Sequence, residues 1–280
     1  MSHGWVRDLQ ALGAAGLKGW RTTRRYPTSL GAFVVWPVML PLAYVLQADA
    51  LRGDSAAASA AFAARTGTTE VAAFLFIGWA AYMWLSIILW GPGTALRTEQ
   101  IRGSLEAQLA SPASRVVILF GPAVQDIVWV LVVFGVVIAV LIAAFGLAVG
   151  PLEIAAAVGV IVVGLPSLYG LGALFAAVVL RFGEVHAPVQ VVRGIFTAAC
   201  GMTFPIAVLP GPAETFAQWL PPTYLIGDIR QVLLGSGAVH GLAIDLAILL
   251  AMGLLLCGLA VLAFQSTERH ARRGGSLAQY

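Results

Sequence analysis

The sequence predicts an all-α integral membrane protein with six transmembrane helices, and three observations lead there. Of its 280 residues, 60% are hydrophobic and 10% charged, against roughly a quarter charged in a soluble domain. Apolar stretches of the ~20 residues needed to cross a hydrocarbon layer recur along most of the chain. The cations, fifteen Arg and the single Lys18, flank those stretches and form no patch with aromatics between them, which argues against nucleic-acid binding.

Taken in order, the spans are expected over residues 29–46, 71–90, 127–147, 154–180, 188–209 and 242–264. With a cytoplasmic N-terminus, the inner segments hold twelve cations: Arg7, Lys18, Arg21, Arg24, Arg25, Arg97, Arg102, Arg115, Arg181, Arg269, Arg272 and Arg273. The outer segments hold Arg52, Arg65 and Arg230, and Arg193, near the inner end of a span, is left out of the count. Such a bias places both termini in the cytoplasm. Residues 1–28 then form a cytoplasmic interfacial helix and tail, 29–264 the membrane domain and 265–280 a cytoplasmic tail. The first 28 residues lack the apolar core of a cleavable signal, so the N-terminus is expected to be retained.

Before the first span, Trp5, Leu9, Leu12, Gly16 and Trp20 recur at steps of three or four, the pattern of a helix lying in the membrane surface; a loosely ordered basic tail is the alternative. The alanine-rich stretch 47–70 reads as an exposed outer loop, with part of it helical as the alternative. In the loop after the second span, Ile101, Leu105 and Leu109 are four apart and Glu99, Arg102 and Glu106 surround them. This predicts a short amphipathic helix shaped for a groove on a partner, ended at Ser111-Pro112. Residues 116–125 are expected along the inner surface. Asp126, at the membrane boundary, is read as an interfacial capping carboxylate, with a proton relay as the alternative.

The fifth span contains Gly201 to Pro205 and is expected to close at Leu209-Pro-Gly-Pro212. Beyond it, residues 213–220, with Phe216 and Trp219, and residues 225–234 flank Pro221-Pro222-Thr223-Tyr224. Two short helices dipping into the outer leaflet and broken at the prolines would satisfy the backbone and bury the aromatics; Trp219 and Tyr224 as simple interfacial anchors are the alternative.

The inner loop, the broken outer segment and the six-span plan resemble the ABC transporter type 2 permease family. The residues carrying the resemblance are Glu99-Gln-Ile-Arg-Gly-Ser-Leu-Glu106 with 109–115, and 201–210 with Leu220-Pro-Pro-Thr-Tyr224 and Asp228-Ile-Arg230. The resemblance implies an N-terminal elbow helix, a coupling helix over about residues 98–110, and re-entrant helices before the last span. It further implies a multi-pass protein of the cytoplasmic membrane that exports its substrate. A second permease subunit, identical or related, and two copies of a separate nucleotide-binding ATPase subunit would complete it. Glu99, Arg102, Leu105, Glu106 and Leu109 then become the ATPase-coupling residues.

No Gly-x-x-x-x-Gly-Lys-Ser/Thr loop is present in the sequence, so the chain is not expected to be an enzyme by itself. ATP and Mg would be held by the partner, and no cofactor by this chain. His3, His186, His240 and His270 are scattered without metal-ligand spacing, and no metal site is expected. Cys200 and Cys257 read as small packing residues. The spans carry few charges, which disfavours an ion-coupled path. Tyr82, Ser167, Tyr169, Thr203 and Phe204, with Trp84 and Phe196, are candidates for a mostly apolar route suited to lipids, hydrophobic drugs or natural products; helix packing is the alternative use for each. Gly159, Gly164, Gly170 and Gly172 are expected to let helices approach closely. A secondary carrier or a membrane scaffold without an ATPase is the competing function.

Overall fold

The computed structural model describes residues 3–23, 25, 27–52, 56–101, 103, 114–121, 123–182 and 186–274. These fold into α1 (His3–Thr23), α2 (Pro27–Arg52), α3 (Ala56–Thr66), α4 (Val71–Ile101), α5 (Arg115–Phe120), α6 (Ala123–Phe145), α7 (Pro151–Phe182), α8 (His186–Ala199), a single tight turn at Ile206–Val208, α9 (Gly211–Ala217), α10 (Pro221–Leu234) and α11 (Leu242–Gly274). Four segments among the described residues are long and apolar enough to cross a membrane: Val71–Gly91, Val116–Phe145, Pro151–Val179 and Leu242–Arg269. A shorter apolar helix covers Val35–Leu51.

The helix α4 is the axis of the bundle. Phe76, Ala80, Trp84, Leu85, Ile88 and Leu89 are all fully buried, so apolar side chains on every side of α4 find neighbours. Around it stand α2, α6, α7 and α10. The helix continues through Gly91-Pro92-Gly93 to Ile101, about 15 Å beyond Gly91 at 1.5 Å per residue. Pro92 has no N–H to give the Ile88 carbonyl. That carbonyl lies instead against α7, where a Cβ on Gly172 would come within 2.9 Å of it.

The closest helix pair is α7 with α11. A Cβ on Gly170 would stand 2.8 Å from the Cys257 nitrogen, and one on Gly253 2.8 Å from the Ser167 nitrogen. Glycine permits this backbone contact because it has no side chain to exclude. Pro166 breaks the α7 ladder, and Cys257 Sγ donates to the Pro166 carbonyl at 3.2 Å. The expected close approaches hold at Gly164, Gly170 and Gly172, whereas Gly159 faces open space.

Two expectations need correction. The fifth span is not one helix over 188–209: α8 stops at Ala199 after 14 residues, about 21 Å, short of the ~30 Å hydrocarbon thickness. The stretch 47–70 is mostly helical, since α2 runs on to Arg52 and α3 follows, with Thr66 and Thr68 buried. The stretch 116–125 is packed into the bundle: Ser114 Oγ caps α5 by accepting from the Val117 nitrogen, and Ile118 and Leu119 pack against Ala173, Ala177, Ala260 and Phe264 of α7 and α11. The helix α1 lies across the start of α6, with Gly16 against Val124 and the Trp20 ring 6.2 Å from that of Trp129. Part of its apolar stripe therefore meets protein.

Candidate functional site: a broken span clamped to the bundle

The break after α8 is written in backbone chemistry. Gly201 adopts φ +72°, a left-handed conformation that costs glycine little and terminates helices. Pro205 then stands in extended geometry (φ −70°, ψ 142°) before the turn at Ile206–Val208. Pro221 and Pro222 occupy the first positions of α10 after extended Leu220, where the missing proline N–H breaks no helical bond. Two side chains tie α10 back to α9: Thr223 Oγ1 donates to the Ala217 carbonyl at 2.7 Å and Tyr224 Oη to the Gln218 carbonyl at 2.9 Å.

Arg230 fastens this assembly to α4. It is 4% exposed, and its Nη1 donates to the Gly201 carbonyl at 2.7 Å. Its Nη2 donates to the Phe74 and Met202 carbonyls at 2.8 and 2.9 Å. The guanidinium carbon lies 3.4 Å from the Phe74 ring centroid, a cation–π contact. One cation thus serves the Gly201 and Met202 carbonyls, which the break in α8 leaves without helical donors, and ties them to the Phe74 carbonyl in the first turn of α4. Burial pushes its pKa down to about 9, so it remains charged at neutral pH. Gly78 makes the contact possible, because a Cβ there would meet the Met202 oxygen at 1.7 Å.

Asp228, two residues earlier, is completely buried, and neither carboxylate oxygen has a hydrogen-bond partner. Burial, and then the charge of Asp245, push its pKa up to about 7. Asp245 accepts from the Val239 and His240 backbone nitrogens and lies 3.2 Å from His240 Nδ1.

Of the expected re-entrant residues, Pro221 and Tyr224 are covered by protein, whereas Phe216 and Trp219 are 48% and 75% exposed. The five expected path residues stand in different surroundings. Tyr82 is half-buried in α4, accepts a hydrogen bond from Arg193 Nη2 of α8 and has the guanidinium 4.9 Å from its ring centroid. Ser167 is fully buried and donates to the Gly164 carbonyl at 2.8 Å. Thr203 and Phe204 sit half-buried in the broken segment.

Tyr169 lines an apolar cavity of about 760 Å³ at the opposite end of the bundle, between α1, α5, α6, α7 and α11. Its hydroxyl, the Trp84 indole nitrogen and Asp126 Oδ2 are all buried without hydrogen-bond partners. Asp126 stands in the first turn of α6, but Oδ2 caps nothing; it faces α4 at Gly91, where a Cβ would come within 3.1 Å.

Of the expected coupling residues, Glu99 belongs to the end of α4. Thr98–Ile101 continue that helix and do not begin a new one, correcting the expected start at 98. Arg102, Leu105, Glu106 and Leu109 lie outside the described residues. Arg230 was visible in the sequence as an outer cation and in Asp228-Ile-Arg230, but its clamping role was not, because its carbonyl partners Gly201, Met202 and Phe74 are distant in the chain.

Long apolar helices around a buried axis, with a broken segment clamped at one end, define a polytopic helical integral membrane protein. The family pattern described as ABC-2 family transporter protein matches residues 52–262, three quarters of the chain, and includes α4, the clamp and most of α11. The chain belongs to that family and is an ABC transporter permease, the transmembrane component. A comparison with curated proteins gave no match.

Proposed function

We propose that this chain is the transmembrane permease subunit of an ATP-driven exporter that moves a lipid, hydrophobic drug, polysaccharide or natural product across the cytoplasmic membrane. The family match over residues 52–262 carries this reading. ATP and Mg are held by a separate nucleotide-binding subunit, present in two copies, and a second permease completes the complex. Six passes place both termini and the loop after α4 in the cytoplasm, as the twelve-to-three cation distribution supports. In this arrangement the fifth pass is α8 plus the non-helical segment to Pro210, α1 is the elbow helix, and α9 and α10 form the re-entrant pair.

The helix α4 supports a mechanism. From Phe74 in the clamp to Ile101 beside the coupling segment it is continuous, about 40 Å long, with one joint at Gly91-Pro92-Gly93. Closure of the ATPases on ATP displaces the coupling segment, Pro92 permits the cytoplasmic end of α4 to bend, and the remaining motion reaches the outer clamp through Phe74 and Gly78. Two sites biasing one element is the physical requirement for coupling. The coupling face is assigned to Glu99, Arg102, Leu105, Glu106 and Leu109. Leu105→Asp is expected to insert into the membrane normally and to lose co-purification with the ATPase; undiminished co-purification would overturn the docking assignment.

A further inference from the structure

The clamp encloses a second feature that fastening alone does not require. Between α3, the start of α4, the broken segment, α9, α10 and the turn at 235–241 lies a cavity of about 350 Å³. Its wall includes Arg65, Glu214, Gln218, Thr223, Arg230 and His240, an unusually polar set for this chain. Nη1 and Nη2 of Arg230 are engaged with carbonyls, but its buried Nε has no acceptor. That N–H is shut away from the cavity as well, so what Arg230 brings to the wall is a buried charge with no counter-ion. Among the described residues no carboxylate forms an ion pair with Arg230 or Arg65. Arg65, in the last turn of α3, and Glu214, in the first turn of α9, share the wall without bonding each other.

A cation pair that lacks an anion, with a separate carboxylate on the same wall, is complementary to a zwitterion. The volume admits a headgroup and not a whole amphiphile. Segments bordering the cavity also present apolar side chains outward: Val208 and Trp219 are 47% and 75% exposed. We propose that this cavity binds the headgroup of a zwitterionic phospholipid-like amphiphile. Its phosphate lies against Arg65 with the buried charge of Arg230 behind it, its ammonium faces Glu214, and its tails lie over Val208 and Trp219. The Gln218 carboxamide and the ring of His240, whose Nδ1 is given to Asp245, complete the polar wall. Such an amphiphile is either a resident lipid of the leaflet or transported cargo, since both carry the same headgroup chemistry. The proposal does not depend on the direction of transport.

The test uses the full-length chain in detergent, freed of co-purified lipid, and native mass spectrometry. The probes are a short-chain phosphatidylethanolamine, the matching phosphatidylglycerol and inorganic phosphate. Wild type is expected to bind phosphatidylethanolamine about tenfold more tightly than phosphatidylglycerol. Glu214→Gln is expected to abolish that preference, and Arg65→Gln to weaken both lipids about tenfold, the size of one charge-assisted contact. Both positions are outside the buried core, and unchanged unfolding temperatures check that the variants fold; Glu214→Gln alone suffices if Arg65→Gln does not. Equal binding of the two lipids by wild type, an unaltered preference in Glu214→Gln, or inorganic phosphate binding as tightly as the lipids would each overturn the proposal. Once binding is found, repeating it with the ATPase and ATP separates the sources: cargo is released on nucleotide binding, and a resident lipid is retained.

Discussion

Replacing Gly78 by Ala tests the clamp at its narrowest point. The added Cβ would stand 1.7 Å from the Met202 carbonyl oxygen and 2.8 Å from Arg230 Nη2. To restore an ordinary contact of about 3.4 Å, the broken segment must retreat by about 1.7 Å. That movement carries the bond from Nη2 to Met202, now 2.9 Å, out of range. A hydrogen bond to a charged group contributes roughly 1.5–3 kcal/mol, and overpacking costs roughly 1–3 kcal/mol. Helix propensity returns at most about 1 kcal/mol. The net loss is about 3 kcal/mol, which lowers an apparent unfolding temperature by roughly 6–12 °C for a chain of this size. The control is Gly159→Ala, where nothing lies within 4 Å of the new Cβ, and which is expected to unfold at or slightly above the wild-type temperature. Fluorescence-detected unfolding of both variants in one detergent reads the difference. If Gly78→Ala melts with Gly159→Ala, α4 and the broken segment are not in the contact described.

Arg230→Lys should fail to restore the clamp, because one ammonium cannot reach three carbonyls on two segments as a planar guanidinium does. A loss of ~2 kcal/mol, seen as a lowered unfolding temperature, is expected, and wild-type stability would contradict it. Asp228 provides a pH test. Its pKa in the fold is raised from 3.8 to about 7, so the folded chain holds that proton more tightly than the unfolded chain. The resulting stability is complete below pH 3.8 and is lost as pH rises to about 7. Asp228→Asn should remove this dependence, leaving the variant more stable than wild type at pH 8 by at most ~4 kcal/mol and little different near pH 4. Parallel pH profiles for the two proteins would refute the assignment.

The apolar runs were legible because length and composition alone decide them: four of the expected spans overlap long apolar helices, three of them within about five residues at each end, while the fourth begins at Val116 and not at 127. The prolines at 221 and 222 marked the break, since a missing N–H acts locally, but α10 starts on them and not at Leu225. The break at Gly201 was hidden, although Gly201 and Pro205 were both visible. Residues 188–209 are mostly apolar, and whether a glycine continues or ends a helix depends on where its freed carbonyls find donors. Here the donor is Arg230, 29 residues away. The same non-locality explains the candidate path residues. The polarity of Tyr82 and Ser167 is written in the sequence, but their engagement with Arg193 and with the Gly164 carbonyl is not. Gly159 and Gly170 look alike in sequence, and only packing against α11 separates them.

The most direct measurement is purification of the tagged chain from its native membrane in mild detergent, with identification of its partners and an assay of ATP hydrolysis. As a permease driven by a separate ATPase, it should bring down a nucleotide-binding subunit in roughly equal amount, with vanadate-sensitive activity that Gly78→Ala uncouples from transport. A chain recovered alone and inactive across several detergents would contradict an ATP-driven role.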